Sequence, residues 1–127
     1  MGAPNNENNP DVININLGTL AAAAVVPGAY LKKRFMVTGV HLINGATVAA
    51  SDTDYAQVSL KKGSTVIAEL DTRAAHENGL TTLVGKALNL VAAEVDCAAG
   101  TSLSVEYAEG GTMTLTLAQL CVSGYWI

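Results

Sequence analysis

From Val12 to Leu17 the chain alternates Ile13, Ile15 and Leu17 with Asn14 and Asn16. A period of two buries one face of a β-strand and leaves the other to water. The same rhythm returns along the rest of the chain. Ala56, Val58 and Leu60 alternate with Tyr55, Gln57 and Ser59; Val66, Ala68 and Leu70 share one face of Thr65–Leu70. Leu103, Val105 and Tyr107 alternate with Ser102, Ser104 and Glu106, and Met113, Leu115 and Leu117 alternate with Thr112, Thr114 and Thr116. Arg34–Ile43 carries apolar groups at both parities, with Met36, Val40 and Leu42 against Phe35, Val37 and Ile43. This predicts a strand covered on both faces. Thr81–Leu90 reads as a further strand. Leu20–Val26 is Ala-rich, but it is short and closed by Pro27-Gly28, so it is expected to be extended.

Turn residues separate these segments. Asn44-Gly45 is the strongest turn dipeptide. Lys61-Lys62-Gly63-Ser64 predicts a hairpin whose Gly63 supplies a positive φ, and Gly110-Gly111 predicts another turn. Asp71–Gly79 reads as one or two helical turns, capped by Asp71 and stopped by Asn78-Gly79. About eight short strands, with turn signals every 8–12 residues, predict an all-β antiparallel sandwich. A jelly-roll-like winding is favoured over an immunoglobulin-like one, because the single Trp, Trp126, is the penultimate residue and not a mid-chain core residue between two Cys. Residues 1–11 are Asn- and Pro-rich and are expected to form a flexible arm. Residues 12–127 form the single β-sandwich domain, interrupted by the short helical insert.

Composition narrows the function classes. Half of the 127 residues are apolar, 5% aromatic and 14% charged. Charged residues usually make up about 25%, so a surface this poor in charge suits a subunit covered by partners. The net charge of −4 opposes nucleic-acid binding, which needs a basic footprint. The two basic clusters, Lys32-Lys33-Arg34 and Lys61-Lys62, read as solvated turns or as docking points for an acidic protein surface. The first twelve residues have no basic start or apolar stretch. The longest apolar run, Leu20–Val26, has seven residues, against the ~20 that span a bilayer. Cytosolic synthesis without membrane association is therefore expected.

Candidate chemistry is sparse. His41 lies within a predicted strand and His76 beside Glu77 in the helical insert; each is a base or ligand only in company that the sequence does not supply. Ser51-Asp52-Thr53-Asp54 with either His would make a Ser–His–Asp set, but no nucleophile-elbow signature accompanies it. Asp52 and Asp54 are spaced like the first ligands of a calcium loop that lacks its Gly and closing Glu. Cys97 and Cys121 stand 24 apart, without metal-ligand spacing, and read as buried thiols or as a disulfide. No catalytic residue, metal or cofactor is expected. Tyr55, Tyr107, Tyr125 and Trp126 fill a core or an interface, or form a platform for sugar.

The polar arm precedes Val37-Thr38-Gly39-Val40-His41-Leu42-Ile43, Ser51-Asp52-Thr53-Asp54-Tyr55-Ala56-Gln57-Val58-Ser59-Leu60, Glu94-Val95 and Gly100-Thr101-Ser102-Leu103-Ser104-Val105. Over roughly residues 12–127 this pattern resembles the jelly-roll decoration, or cement, proteins of tailed-bacteriophage heads. The resemblance implies a homotrimer on local three-fold positions of a capsid, bridging major capsid protein subunits on the virion surface, and no catalytic residues. The expected shell contact is Pro10, Asp11, Val12, Ile13, Asn14 and Ile15, together with Lys32, Lys33 and Arg34. Tyr125, Trp126 and Ile127 are the expected subunit interface. The alternative is a carbohydrate- or receptor-binding β-sandwich of a fibre or adhesin. An enzyme of cupin type would need clustered His and carboxylates, which two isolated His do not provide.

Overall fold

The structure is a computed structural model and describes residues 9–73 and 79–127. Among the described residues ten strands run β1 (Asn9–Leu20), β2 (Ala24–Tyr30), β3 (Phe35–Ile43), β4 (Tyr55–Lys62), β5 (Thr65–Asp71), β6 (Lys86–Ala87), β7 (Asn89–Leu90), β8 (Asp96–Cys97), β9 (Ser102–Gly110) and β10 (Leu115–Trp126). They form two antiparallel sheets. One has the order β1-β10-β3-β6, with β8 also on β3; the other has the order β2-β9-β4-β5-β7. The pairings β1·β10, β2·β9, β3·β6 and β4·β5 are nested, each enclosing the next along the chain. The fold is an all-β sandwich, and the predicted helical insert falls largely on residues 74–78, outside the described residues.

The alternation read from the sequence becomes the core, except at the start of β5, where a bulge between the Val66 and Ala68 pairings buries Ile67 in place of Val66. The first sheet contributes Ile15, Leu17, Phe35, Val37, Val40, Leu42, Leu115, Leu120 and Val122. The second contributes Ala56, Val58, Leu60, Ile67, Leu70, Leu103, Val105 and Tyr107. Such burial, at about 25 cal/mol per Å² of apolar surface, is the main force holding the sheets together.

Four other expectations change. In β3 the two apolar parities are one face, switched by a bulge. Gly39 pairs with Ser123 and Val37 with Gly124, leaving Thr38 without a partner. Phe35 and Val37 face inward before the bulge, Val40 and Leu42 after it. In β10, Leu117 does not follow Leu115 inward; its φ is 46° and its side chain is exposed, so Ala118 takes the inner place. Thr81–Leu90 is not one strand. The chain turns near Leu83, pairs briefly with β3 at Lys86–Ala87, buries Leu88 and pairs with β5 at Asn89–Leu90. This segment crosses between the sheets and closes one side of the sandwich: Leu88 N–H donates to the Val40 carbonyl at 2.8 Å, and Val91 N–H to that of Ile67 at 2.7 Å. Finally, β1 begins at Asn9, so residues 9–11, expected in the arm, belong to the sheet.

Asn44-Gly45 does not close a hairpin, since β3 and β4 lie in different sheets. Asn44 is only 1% exposed. Its Oδ1 accepts the Thr116 N–H at 2.8 Å and its Nδ2 donates to the Ala46 carbonyl at 2.8 Å. The predicted Lys61–Ser64 hairpin does form, with Gly63 at φ 61°.

Candidate binding surface at one end of the sandwich

The start of β1, the end of β10 and the β2–β3 turn meet at one end of the molecule. Pairing places Asn9 opposite Trp126, Pro10 opposite Tyr125 and Asp11 opposite Gly124. The Trp126 Nε1–H donates to the Asp11 carboxylate at 2.9 Å. That bond, with a second from the Val12 N–H, holds the Asp11 carboxyl below its ordinary pKa. The Trp126 ring tilts at 59° against Phe35, with centroids 4.6 Å apart. Gly124 makes room for this. A Cβ there would stand 2.7 Å from the Phe35 ring and closer still to the Met36 carbonyl. The Ile127 N–H donates to the Arg34 carbonyl at 3.0 Å, so the end of β10 is fastened to the β2–β3 turn.

Charge at this end is mostly paired. Arg34 grips Asp96 with two bonds, of 2.8 and 2.6 Å. Their hydrogen bonding raises the Arg34 pKa and lowers that of Asp96. Lys61 meets Glu106 at 3.0 Å and Lys62 meets Glu94 at 3.3 Å. Lys32 and Lys33 are exposed and form no ion pair among the described residues. With Asn9, Tyr30, Trp126 and Ile127 they line an open cleft of about 630 Å³. The cleft offers two ammonium groups, an exposed phenol and an indole beside a sheet edge. This arrangement suits an acidic or polar partner surface.

The residues expected at a shell contact and those expected at a subunit interface thus lie on adjacent strands of a single surface. Pro10, Asp11, Val12 and Asn14 are exposed on β1, which is an edge strand. Ile15 is buried in the core and Ile13 packs partly against it, so neither presents its side chain to a partner. Arg34 is engaged with Asp96, which leaves Lys32 and Lys33 as the available cations of that cluster.

The other candidate groups are dispersed. Tyr107 is buried and its hydroxyl donates to the Met113 carbonyl at 3.0 Å. Tyr55 lies over Gly110, and the Arg73 guanidinium covers its ring at 5.0 Å. Ser51 Oγ accepts the N–H groups of Thr53 and Asp54 at 3.2 and 3.1 Å, which makes it a turn residue. His41 is exposed on β3, in the opposite sheet from Tyr55. His76 lies outside the described residues. Cys97 and Cys121 are free thiols. Among the described residues no three His, Cys, Asp or Glu side chains cluster as metal ligands, and no helix is long and apolar enough to cross a membrane.

One surface feature escapes sequence reasoning. On the outer face of the second sheet, Gln57, Ser59, Glu69, Asp71, Arg73, Asn89, Glu106 and Ala108 line a polar depression of about 410 Å³. Ser59 pairs with both Glu69 and Glu106, and Gln57 with both Asp71 and Ala108. Short side chains among long ones make the hollow. Its signal is the outward parity of these strands, but that signal needs the strand order to be seen. Comparison of the chain with protein-family models, with curated proteins and with solved structures finds no match.

Proposed function

We propose that this protein is a structural capsid decoration protein, which binds the outer surface of a phage head as a homotrimer and stabilises it by bridging major capsid subunits. One observation carries the reading: β1, Lys32-Lys33 and the Tyr125–Ile127 segment converge on one surface. The polar segment 1–8 joins the fold at that same end, at Asn9. A cement needs only a surface that recognises an assembled lattice, because binding the assembled form alone stabilises it by mass action. A segment that orders on a neighbouring subunit can add reach to such a surface. The nested strand pairing supports a jelly-roll winding, since one long hairpin rolled into two layers produces this order.

The test is co-sedimentation with undecorated heads of the phage that encodes the chain. The expected result is capture by mature shells, weakened by deletion of residues 1–8 and by Lys32→Glu/Lys33→Glu. Absence of capture, or equal binding to free capsid protein, overturns the proposal.

The polar depression on the second sheet favours a second reading, a saccharide-binding module. Amide, hydroxyl and carboxylate groups suit a polyhydroxylated ligand. The nearby aromatic face, that of Tyr55, is already covered by Arg73, which places this reading second. Glycan binding abolished by Ser59→Trp would reverse the ranking.

A further inference from the structure

The outer face of the first sheet brings together two residues that the sequence holds far apart. Cys121 of β10 pairs with His41 of β3, and Asn14 of β1 flanks Cys121 on its other side. Leu120 and Val122 of β10, and Val40 and Leu42 of β3, fill the core. Alternation therefore sends Cys121 and His41 together to the outer face. The Val40 carbonyl accepts the Leu88 N–H, on the side of β3 away from β10. The backbone groups of His41 thus point towards β10, and His41 and Cys121 form a directly opposed, hydrogen-bonded pair. Side chains placed in this way stand with their Cβ atoms about 4.5–5.5 Å apart.

Both groups are accessible. His41 is exposed and Cys121 half-buried. Among the described residues neither side chain has a hydrogen-bond or ion-pair partner. Gly39 and Gly85 flank the imidazole; Cβ atoms built on them would lie no closer to it than 3.6 Å and 3.7 Å. With no side chain at either place, the ring has room to turn towards the thiol. The neighbouring outer positions, Val12, Asn14, Asn16, Gln119, Ser123 and Ile43, carry no charge. No ammonium repels a cation there, and no carboxylate competes for one. Cys97 differs in every respect. It is buried, its thiol donates to the Val95 carbonyl at 3.8 Å, and burial pushes its pKa up. Core packing accounts for Cys97, but not for a half-buried thiol opposite an imidazole.

We propose that Cys121 and His41 together bind one copper(I) ion in each chain. Thiolate and imidazole are the ligands that soft cations of the late first row select, whereas hard cations take oxygen. Zinc fills four positions in its structural sites, and among the described residues no third His, Cys, Asp or Glu stands with this pair. Copper(I) has a filled d shell and is satisfied by two ligands in a line. Bonds like those that zinc makes to the same ligands, about 2.3 Å to sulfur and about 2.0 Å to nitrogen, put the two ligand atoms about 4 Å apart. A cross-strand pair spans that distance. On binding, the Cys121 thiol gives its proton to solvent. Its sulfur and one imidazole nitrogen each donate an electron pair to the ion, whose oxidation state does not change. The site does not depend on capsid binding.

Titration of the full chain with copper(I) against the chelator bicinchoninate, without oxygen, tests this. The wild type should hold one equivalent. Cys121→Ser and His41→Gln should each weaken binding by at least about tenfold. Both replace side chains outside the core, so the metal-free variants should melt with the wild type. Copper(I) should also shield Cys121 of the wild type from alkylation by iodoacetamide, read by mass spectrometry, a measurement that needs no variant. A wild type that holds no copper(I) against the chelator overturns the proposal. So does half an equivalent shared between two copies, or an unchanged affinity in His41→Gln, which would leave the thiol acting alone. Alkylation of Cys121 at the same rate with and without the ion overturns it as well.

Discussion

Asn44 shows how a single residue can secure two elements. Its side chain satisfies the Thr116 N–H and the Ala46 carbonyl inside the protein. Asn44→Ala leaves both without partners, and equilibrium unfolding should show a loss of about 2–3 kcal/mol. Gly124 acts through space. Gly124→Ala drives a methyl into Phe35 and the Met36 carbonyl, and overpacking of this kind costs about 1–3 kcal/mol. It should also disturb Trp126 fluorescence, because Phe35 carries that ring. Burial, with the nearby Glu109 carboxylate, pushes the Tyr107 phenol up to about 12. The fold therefore favours the neutral phenol. That contribution is complete below the unfolded pKa of about 10 and is lost as pH rises through the folded value. Spectrophotometric titration of the four tyrosines should show one ionising last, near that pH.

Among the elements, partial burial of Asp71 at the end of β5 raises its carboxyl pKa, but hydrogen bonds from Arg73 and Gln57 outweigh this and hold it at about 2. The folded state favours the carboxylate, so its stabilisation is present above the unfolded pKa of 3.8 and fades as pH falls towards 2. Arg73 is partly exposed and solvent screens the pair, so about 1 kcal/mol is at stake. Denaturation at pH 5 and at pH 2 should show that difference, and Asp71→Asn should lose most of it. The strands themselves are legible because period-two alternation reports burial directly, as at Ile15 and Leu17 or at Val58 and Leu60. Alternation breaks at Thr38, Ile67 and Leu117, where bulges shift parity by one residue. A single sequence shows such a shift only as apolar groups on both faces, which makes β3 look doubly covered. Lys32 and Lys33 can be seen as a cluster, but their separation from Arg34 depends on Asp96, 62 residues away from Arg34. The polar depression and the outward Leu117 depend on strand order and on φ, neither of which composition or spacing encodes.

At the scale of the whole molecule, the two ends of the sandwich differ in chemistry. Around Trp126 lie Lys32, Lys33, ion pairs and an open cleft; the opposite end exposes Leu83, Val84 and Leu117 and also carries Asp54 and the Asp71–Arg73 pair. Lys32→Glu/Lys33→Glu should change capture of a partner and its salt dependence while leaving sedimentation of the isolated protein unchanged.

Nested pairing also dictates an order of assembly. β4 and β5 are joined by a tight turn and can meet as soon as both exist, but β1 waits for β10, more than a hundred positions along the polypeptide. Closing so long a loop before any contact repays it is slow. During synthesis, Asn9 and Asp11 must therefore wait, unpaired, until Gly124 and Trp126 leave the ribosome. The cleft takes residues from both partners of this outermost pair, so a half-folded chain cannot present it.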